Sequence, residues 1–253
     1  MGSSNTTVML PVHRSNLILA NSCLKHILDN SDYNIVLIDD FGSDYEYLYS
    51  RRISFIHNQI PYRQPLSVIW NQCIEQCPTD NVIIHSWRQR LSREQFDMIP
   101  EKLAEGYATV SFDGIHVFGF HKFLMSKIGL FDTGFKYGQY EDIDWWYRFM
   151  YYDLGMYCDD NIGEERVVNG RYVDSMWLDP SETNKKYFYT KWTELESENK
   201  ILLHKLEENY EARQKFASYD NGVKYKTWNE SVFSPDLIKR FESLKTVESK
   251  IPQ

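Results

Sequence analysis

The alternation of short apolar runs with amphipathic stretches in the first half of the chain constrains the fold most. Buried strands of a parallel sheet are expected at Thr7–Val12, Asn34–Asp40, Ile53–Ile56 and Val82–Ile84. Helices are expected between them at Leu17–Leu28 and Leu66–Cys77, and after the fourth strand at Arg93–Glu105, with Gly106 as a C-cap. Strands and helices that alternate in this way predict an α/β fold with a mostly parallel sheet flanked by helices.

In the second half of the chain the pattern of apolar and polar residues changes twice. Thr109–Phe112 and His116–Phe120 alternate as half-buried strands do, and helices are expected at Lys122–Ile128 and Ile143–Tyr152. We therefore predict one α/β domain over residues 1–180 and a helical C-terminal extension over residues 181–253.

The extension contains a long stretch, residues 184–216, with few helix breakers and an apolar stripe that predicts an amphipathic helix. This helix either packs back on the body or pairs with a second copy of the chain, with Asn199 fixing the register of a homodimer. Packing on the body is the favoured alternative.

Composition excludes several classes of protein. The net charge of −8 argues against nucleic acid as a partner, because phosphate binding needs a basic face. No run approaches the ~20 apolar residues of a membrane span, and the N-terminus lacks the pattern of a secretory signal. The four cysteines form no CxxC pair, which favours free thiols in a reducing compartment over a zinc site. These features predict a cytoplasmic protein.

Polar residues follow three of the predicted strands. They are His13-Arg14, Asp39-Asp40 and the segment His85-Ser86-Trp87-Arg88. Ligands of parallel sheets bind beyond the carboxyl ends of the strands. The convergence of polar groups at that edge predicts a binding site there.

A cluster of three carboxylates, Glu141, Asp142 and Asp144, precedes the aromatic pair Trp145-Trp146. Neighbouring acids raise one another's pKa, which makes one of them a candidate general base near neutral pH. The alternative is a helix N-terminus, where acids interact favourably with the helix dipole. Both interpretations stay open on the cluster alone.

Three segments together resemble the GT-A glycosyltransferases of the family-2-like inverting group. Residues 7–14 resemble that family's opening strand, residues 36–44 are similar to its "VVDDGSxD" strand end with one residue inserted, and residues 138–145 look like its acceptor-side "ED" motif. The resemblance covers roughly residues 6–160, and the order and spacing of the motifs make it more specific than any one of them.

The resemblance implies a nucleotide-sugar donor, a glycan or glycoconjugate acceptor, and transfer with inversion. Asp142 would be the general base. Glu141 and Asp144 would orient the acceptor or hold the helix, and Trp145 would offer a flat face to a sugar ring or pack the core. The implied donor-binding residues are Pro11, His13, Arg14, Asp39, Asp40, Asn71, His85 and Arg88.

The sequence departs from the family where an acidic DxD pair normally binds a divalent cation, because the segment after the fourth strand reads Ile84-His85-Ser86-Trp87-Arg88-Gln89-Arg90. Either His85 ligates Mn²⁺ or Mg²⁺ with help from a residue such as Asp113, or Arg88 and Arg90 stabilise the departing diphosphate without metal. The departure also leaves open a catalytically degenerate module that binds a nucleotide sugar or carbohydrate. A nucleotidyltransferase and a serine hydrolase lack their motifs, a Gly-rich phosphate loop and a GxSxG elbow.

Overall fold

The structure, a computed structural model, describes residues 5–12, 17–39, 47–58, 64–112, 114–136, 138–152, 154–159 and 181–199. The strands are β1 (Thr6–Val12), β2 (Asn34–Asp39), β3 (Ile53–His57), β4 (Asn81–His85), β5 (Thr109–Phe112), β6 (Val117–His121) and β7 (Met156–Asp159). The helices are α1 (Leu17–Asn30), α2 (Leu66–Gln76), α3 (Arg93–Glu105), α4 (Leu124–Ile128), α5 (Glu141–Tyr151) and α6 (Ser181–Asn199).

The seven strands form one mixed sheet in the order β3-β2-β1-β4-β6-β5-β7. β1 is parallel to both β2 and β4, β2 is parallel to β3, and β5 is parallel to β7. β6 is antiparallel to β4 and β5. The predicted α/β fold, a mostly parallel sheet flanked by helices, is confirmed. The short edge strand β7 was not expected from the sequence.

Both faces of the sheet are buried, as the near-continuous apolar runs predict. Val8, Leu10 and Ile83 face a core shared with α1 and α3, including Phe96. Their neighbours along the strands face the opposite core, which contains Trp70 of α2 and is shared with α5 and α6. Because side chains alternate along a strand, the odd or even position of a residue (its parity) decides which face of the sheet its side chain lies on.

The predicted elements differ from the observed ones mainly at their ends. α3 begins at a capping box, in which Ser92 accepts from the backbone of Gln95, and ends at Gly106 with φ of 104°. α5 begins at Glu141, two residues before the predicted start, so the carboxylate cluster lies within its first turn. The acids therefore meet the positive end of the helix dipole.

α6 packs on the body of the protein, which is the favoured alternative for the predicted helix over residues 184–216. Residues 200–216 of that prediction lie outside the described residues. Phe188 and Trp192 are buried in the same core as the α5 residue Phe149, and their rings lie 4.9 Å and 5.1 Å from that of Tyr147. The domain boundary near residue 180 and the homodimer stay predictions. Among the described helices, none is both long and apolar enough to cross a membrane.

Candidate functional site

A cavity of about 200 Å³ opens at the carboxyl ends of β1, β2 and β4. Its floor is apolar and consists of Pro11, Ile38 and Ile84 from the strand ends and Ile69 and Trp70 from α2. These side chains meet because they share one face of the sheet. This is the edge at which an open α/β sheet binds ligands.

The rim of the cavity is polar. Ser86, Trp87 and Arg88 follow β4, and His116 precedes β6. The Ser86 backbone N–H donates to the His116 carbonyl over 2.7 Å, which joins the two rim segments. The Arg88 guanidinium lies 4.9 Å from the centre of the Trp87 ring, a cation–π distance that orients this cation at the cavity.

Arg90 does not share the role of Arg88. It is 7% exposed and donates to the carbonyls of Trp87 and Gln89, each over 2.8 Å. A further bond of 3.2 Å reaches the Ser22 hydroxyl on α1. Arg90 thus fixes the loop that carries Arg88.

Glu141 and Asp142 open helix α5 and differ in their surroundings. Glu141 is 2% exposed, and its Oε2 has no hydrogen-bond partner within the described residues. Burial and the Asp142 charge raise the pKa of Glu141 to about 7, against backbone hydrogen bonds that lower it. Asp142 is half-buried, and burial also raises its pKa.

His116 relates the cavity to Asp142 electrostatically. It lines the cavity, and its charge counts among the influences that lower the pKa of Asp142 against burial. Such charge effects reach about 10 Å at moderate ionic strength. Asp142 is not itself among the residues that line the cavity, but its half-buried carboxylate lies within electrostatic range of one that does.

Asp144 points into the protein and joins a buried ionic group. It accepts from Arg148, from Lys191 over 2.7 Å and from the Trp192 indole over 3.1 Å. Lys191 also contacts Asp132 over 2.8 Å. Burial alone would raise the pKa of Asp144, but Arg148 and Lys191 together hold it below its usual range. Asp144 thus holds the helix, one of the two roles considered for it.

Asn71 also has a structural role in this structure. Its amide donates to the Phe131 carbonyl and accepts from the Phe131 N–H, each over 2.8 Å. This pair of bonds attaches α2 to the segment before α5, and Asn71 is not among the residues that line the cavity.

Trp145 is fully buried in the core. Its ring lies 4.8 Å from Phe131 and 4.6 Å from Phe149, centre to centre. The structure therefore does not bring it to a surface where an acceptor sugar could stack, and we leave it out of the proposed site. Trp145 fills the core, the alternative considered for it.

Asp39 ends β2 one residue beyond Ile38 and is fully buried, with Oδ2 3.8 Å from His57 Nδ1. Its backbone carbonyl accepts from the Asn58 N–H over 2.8 Å. Its side chain has the parity of Leu37, which faces the core opposite the cavity. A donor role for Asp39 stays a prediction, whereas Pro11 and Arg88 do line the cavity.

His85 is directed away from the cavity. It stacks on Phe96 at 5.8 Å, and its Nδ1 lies 2.8 Å from the Ser86 carbonyl and 3.7 Å from Cys23 Sγ. Burial lowers its pKa to about 3. His85 was expected to contact the donor or a metal, and the structure differs. Like Ile83 two residues earlier on β4, His85 is on the side of the strand that faces α1 and α3.

The described residues do not fit a metal site. Among them, no group of three His, Cys, Asp or Glu side chains is arranged to hold a metal ion. Asp113, the other expected ligand, lies outside the described residues, as do the expected donor-binding residues His13, Arg14 and Asp40. Their roles stay predictions.

Three residues with clear structural roles were missed by the sequence analysis, namely His116, Asn184 and Lys191. His116 had a weak signal, because it is a polar residue at the first position of a predicted strand. Asn184 and Lys191 share a helix face with Phe188 and Trp192, at spacings of three, four, seven and eight residues. The sequence signal that could have identified Asn184 and Lys191 is their position inside the apolar stripe of the helix.

No protein-family model and no curated protein sequence matches this chain. Among solved structures, GT-A glycosyltransferases are similar to it. A mannosyltransferase from Pyrobaculum calidifontis in complex with GDP-Man and Mn²⁺ shares 13% identity, with a TM-score of 0.49 over 62% of this chain. This chain spans only 55% of the length of that protein.

A glucosyl-3-phosphoglycerate synthase from Mycobacterium tuberculosis in complex with Mn²⁺, UDP and phosphoglyceric acid shares 12% identity, with a TM-score of 0.48. The match covers 61% of this chain and 68% of that protein. Likeness at this level concerns general architecture, and the roles of residues rest on the geometry of this chain.

The surroundings of Glu141 predict a pH-dependent contribution to stability. Its pKa is about 7 in the folded protein and ordinarily 4.5, so the stability contributed by the protonated group is fully present below pH 4.5 and is lost as the pH rises to about 7. Glu141→Gln is neutral throughout. Its free energy of unfolding relative to the wild type should therefore increase over this interval, by on the order of 3 kcal/mol.

Urea denaturation between pH 4.5 and pH 8 measures this difference. Glu101→Gln, on the exposed surface of α3, is the control and should leave the pH dependence unchanged. Parallel stability curves for Glu141→Gln and the wild type would contradict the assignment of a raised pKa to Glu141.

Proposed function

We propose that this protein is a glycosyltransferase that moves a sugar from a nucleotide-sugar donor to a hydroxyl group of a glycan or glycoconjugate, with inversion at the anomeric carbon. One observation carries the proposal. The charge of His116, which lines a cavity at the ligand-binding edge of the α/β sheet, acts on the half-buried carboxylate of Asp142. A nucleophile-activating base beside a ligand cavity is the minimum that such a transfer needs.

The cavity suits one ring system of the donor. Its volume of about 200 Å³ is smaller than that of a site for a whole nucleotide sugar. Ile38, Ile69 and Trp70 offer apolar surface to a nucleobase. Asp40, His13 and Arg14 follow the same strand ends in sequence and are proposed to complete the nucleoside pocket, with Asp39 behind them.

The diphosphate is proposed to lie along the polar rim, against Arg88 and His116. A guanidinium group presents a planar fork of N–H donors that matches phosphate oxygens and keeps its charge at any working pH. The described residues provide no ligand set for a metal. We propose that Arg88 and His116 stabilise the leaving group.

The reaction is a single displacement. The Asp142 carboxylate takes the proton of the acceptor hydroxyl while that oxygen forms a bond to the anomeric carbon. The bond between that carbon and the phosphate oxygen breaks, and the nucleoside diphosphate leaves with the electron pair. Attack from the face opposite the leaving group inverts the configuration.

Glu141 supports this chemistry without touching the acceptor. Because its pKa is about 7, this buried neighbour is largely protonated below neutrality. A protonated Glu141 places no second negative charge beside Asp142, so Asp142 can remain ionised. Two adjacent carboxyl groups in different surroundings can thus take different roles.

The second candidate function is a binding module that no longer catalyses transfer. The segment Ser86-Trp87-Arg88, where the resembling family has acids, is the observation in its favour. Such a module would bind a nucleotide sugar in the same cavity and release no nucleoside diphosphate. Turnover therefore separates the two candidates.

Asp142→Asn should lower turnover about a hundredfold or more while the KM for donor changes little, because the amide retains the shape of the side chain but cannot take a proton. Release of nucleoside diphosphate from nucleotide sugars, with water as the acceptor, measures this without a known glycan. Asp97→Asn, on the exposed face of α3, is the matched control. Turnover near that of the wild type in Asp142→Asn would reject Asp142 as the base.

Arg88→Ala should lower turnover by about two orders of magnitude, the usual effect of removing one charged donor from a leaving group. Arg88→Lys should restore only part of it, because an ammonium group lacks the planar fork. Arg93→Ala removes an exposed cation on α3, paired with Asp32, and is the control. EDTA should affect the wild type less than Arg88→Ala does. Complete loss of turnover in EDTA, restored by Mn²⁺, would reject the cation-based account.

A further inference from the structure

The backbone that leads into α5 adopts an unfavourable conformation. Gln139 and Tyr140 have φ values of 81° and 71°, and neither is glycine. Residues other than glycine rarely adopt this left-handed backbone conformation, and two such residues in succession need support from their surroundings. The next two residues are Glu141 and Asp142. The direction in which the carboxylates leave the backbone thus depends on this turn.

The side chain of Asn184, on α6, provides that support. It is 1% exposed. Its Oδ1 accepts from the Lys136 N–H over 2.9 Å, and its Nδ2 donates to the carbonyls of Lys136 and Gly138 over 2.9 Å each. A further bond of 3.0 Å reaches the carbonyl of Gln139, the first left-handed residue. One amide group thus contacts three residues of the turn.

Among side chains of this length, only asparagine has the required set of groups. Its amide offers one acceptor toward the Lys136 N–H and a two-hydrogen donor toward three carbonyls. Aspartate has the same shape but would direct an oxygen at those carbonyls. The chemistry of the contact is therefore specific to an amide.

α6 is itself fixed against the segment before the turn. Lys191 contacts Asp132 over 2.8 Å, and the Tyr187 hydroxyl donates to the same carboxylate over 3.0 Å. A Cβ added to Gly134 would lie 2.4 Å from the Tyr187 hydroxyl oxygen, so the chain passes this ring only because residue 134 is glycine. Asn184 is held in register with the turn by these contacts.

We propose that Asn184 is a positioning residue for the general base. Asn184 holds Lys136, Gly138 and Gln139 of the turn so that Asp142 is directed at the cavity. The inference rests on the proposed function, because it concerns the same carboxylate. Asn184 touches neither substrate nor reacting atoms in this account. A displacement of ~1 Å at a reacting group can lower turnover about a hundredfold.

The experiment compares Asn184→Ala and Asn184→Asp with Lys185→Ala, a control at the exposed neighbouring position of α6. Hydrogen exchange of the free protein reports the turn directly. Exchange at residues 136–142 should accelerate about tenfold or more in both Asn184 variants and stay unchanged in the control. Turnover for donor hydrolysis should fall about a hundredfold while the KM for donor stays constant.

Gln139→Gly provides a second variant that separates positioning from general stability. Glycine adopts the left-handed conformation without steric cost. Combined with Asn184→Ala, it should therefore restore part of the lost turnover. A role of Asn184 in stability alone predicts no such rescue, because Gln139→Gly adds no contact between α6 and the body.

Unchanged exchange at residues 136–142 in Asn184→Ala would overturn the inference, whatever the activity. Faster exchange with turnover like that of the wild type would overturn the positioning role. If the wild type releases no nucleoside diphosphate from any nucleotide sugar, the proposed function fails and the positioning role with it. The exchange comparison would then still decide whether Asn184 holds the turn.

Discussion

The structure around the site depends on a group of four buried charges, Asp132, Asp144, Arg148 and Lys191. They form three ion pairs, and none of the four side chains has exposed surface. The two carboxylates balance the two cations, and Lys191 contacts both acids. Removing one member would leave an uncompensated charge in the interior, which typically costs about 3–5 kcal/mol. The group joins three parts of the chain that are distant in sequence, namely α5, α6 and the segment before the turn at 136–140. A C-terminal helix that resembles an appendage in the sequence is thereby part of the framework of the site.

This arrangement explains why the three acids at the start of α5 differ. Asp144 faces inward and is held ionised by Arg148 and Lys191. Glu141 is buried, and burial together with the Asp142 charge raises its pKa to about 7. Asp142 is half-buried and is influenced by the charge of His116, which lines the cavity. The same type of side chain thus serves as anchor, as buried neutral neighbour and as proposed base, according to the direction in which each side chain leaves the helix.

The sequence predicts the framework better than the site. Long apolar runs such as Asn34–Asp39 identify buried strands, because few other structures bury consecutive residues. The ends of those strands also indicate the correct edge for the cavity. Which polar residue faces the cavity depends on whether its position along the strand is odd or even and on local twist. This is why His85 faces the core instead of the cavity, and why His116 lines the cavity without having been predicted there. Asn184 and Lys191 resemble surface residues of an amphipathic helix until the partner segment is known, because burial of a polar group depends on distant contacts.

The most direct test of the central claim is the anomeric configuration of the first product. An α-linked nucleotide sugar incubated with the protein should release its sugar as the β anomer, visible by proton NMR before mutarotation mixes the two forms. A single displacement assisted by Asp142 permits no other result. First release of the α anomer would contradict the account, and so would the absence of release above the level of buffer alone.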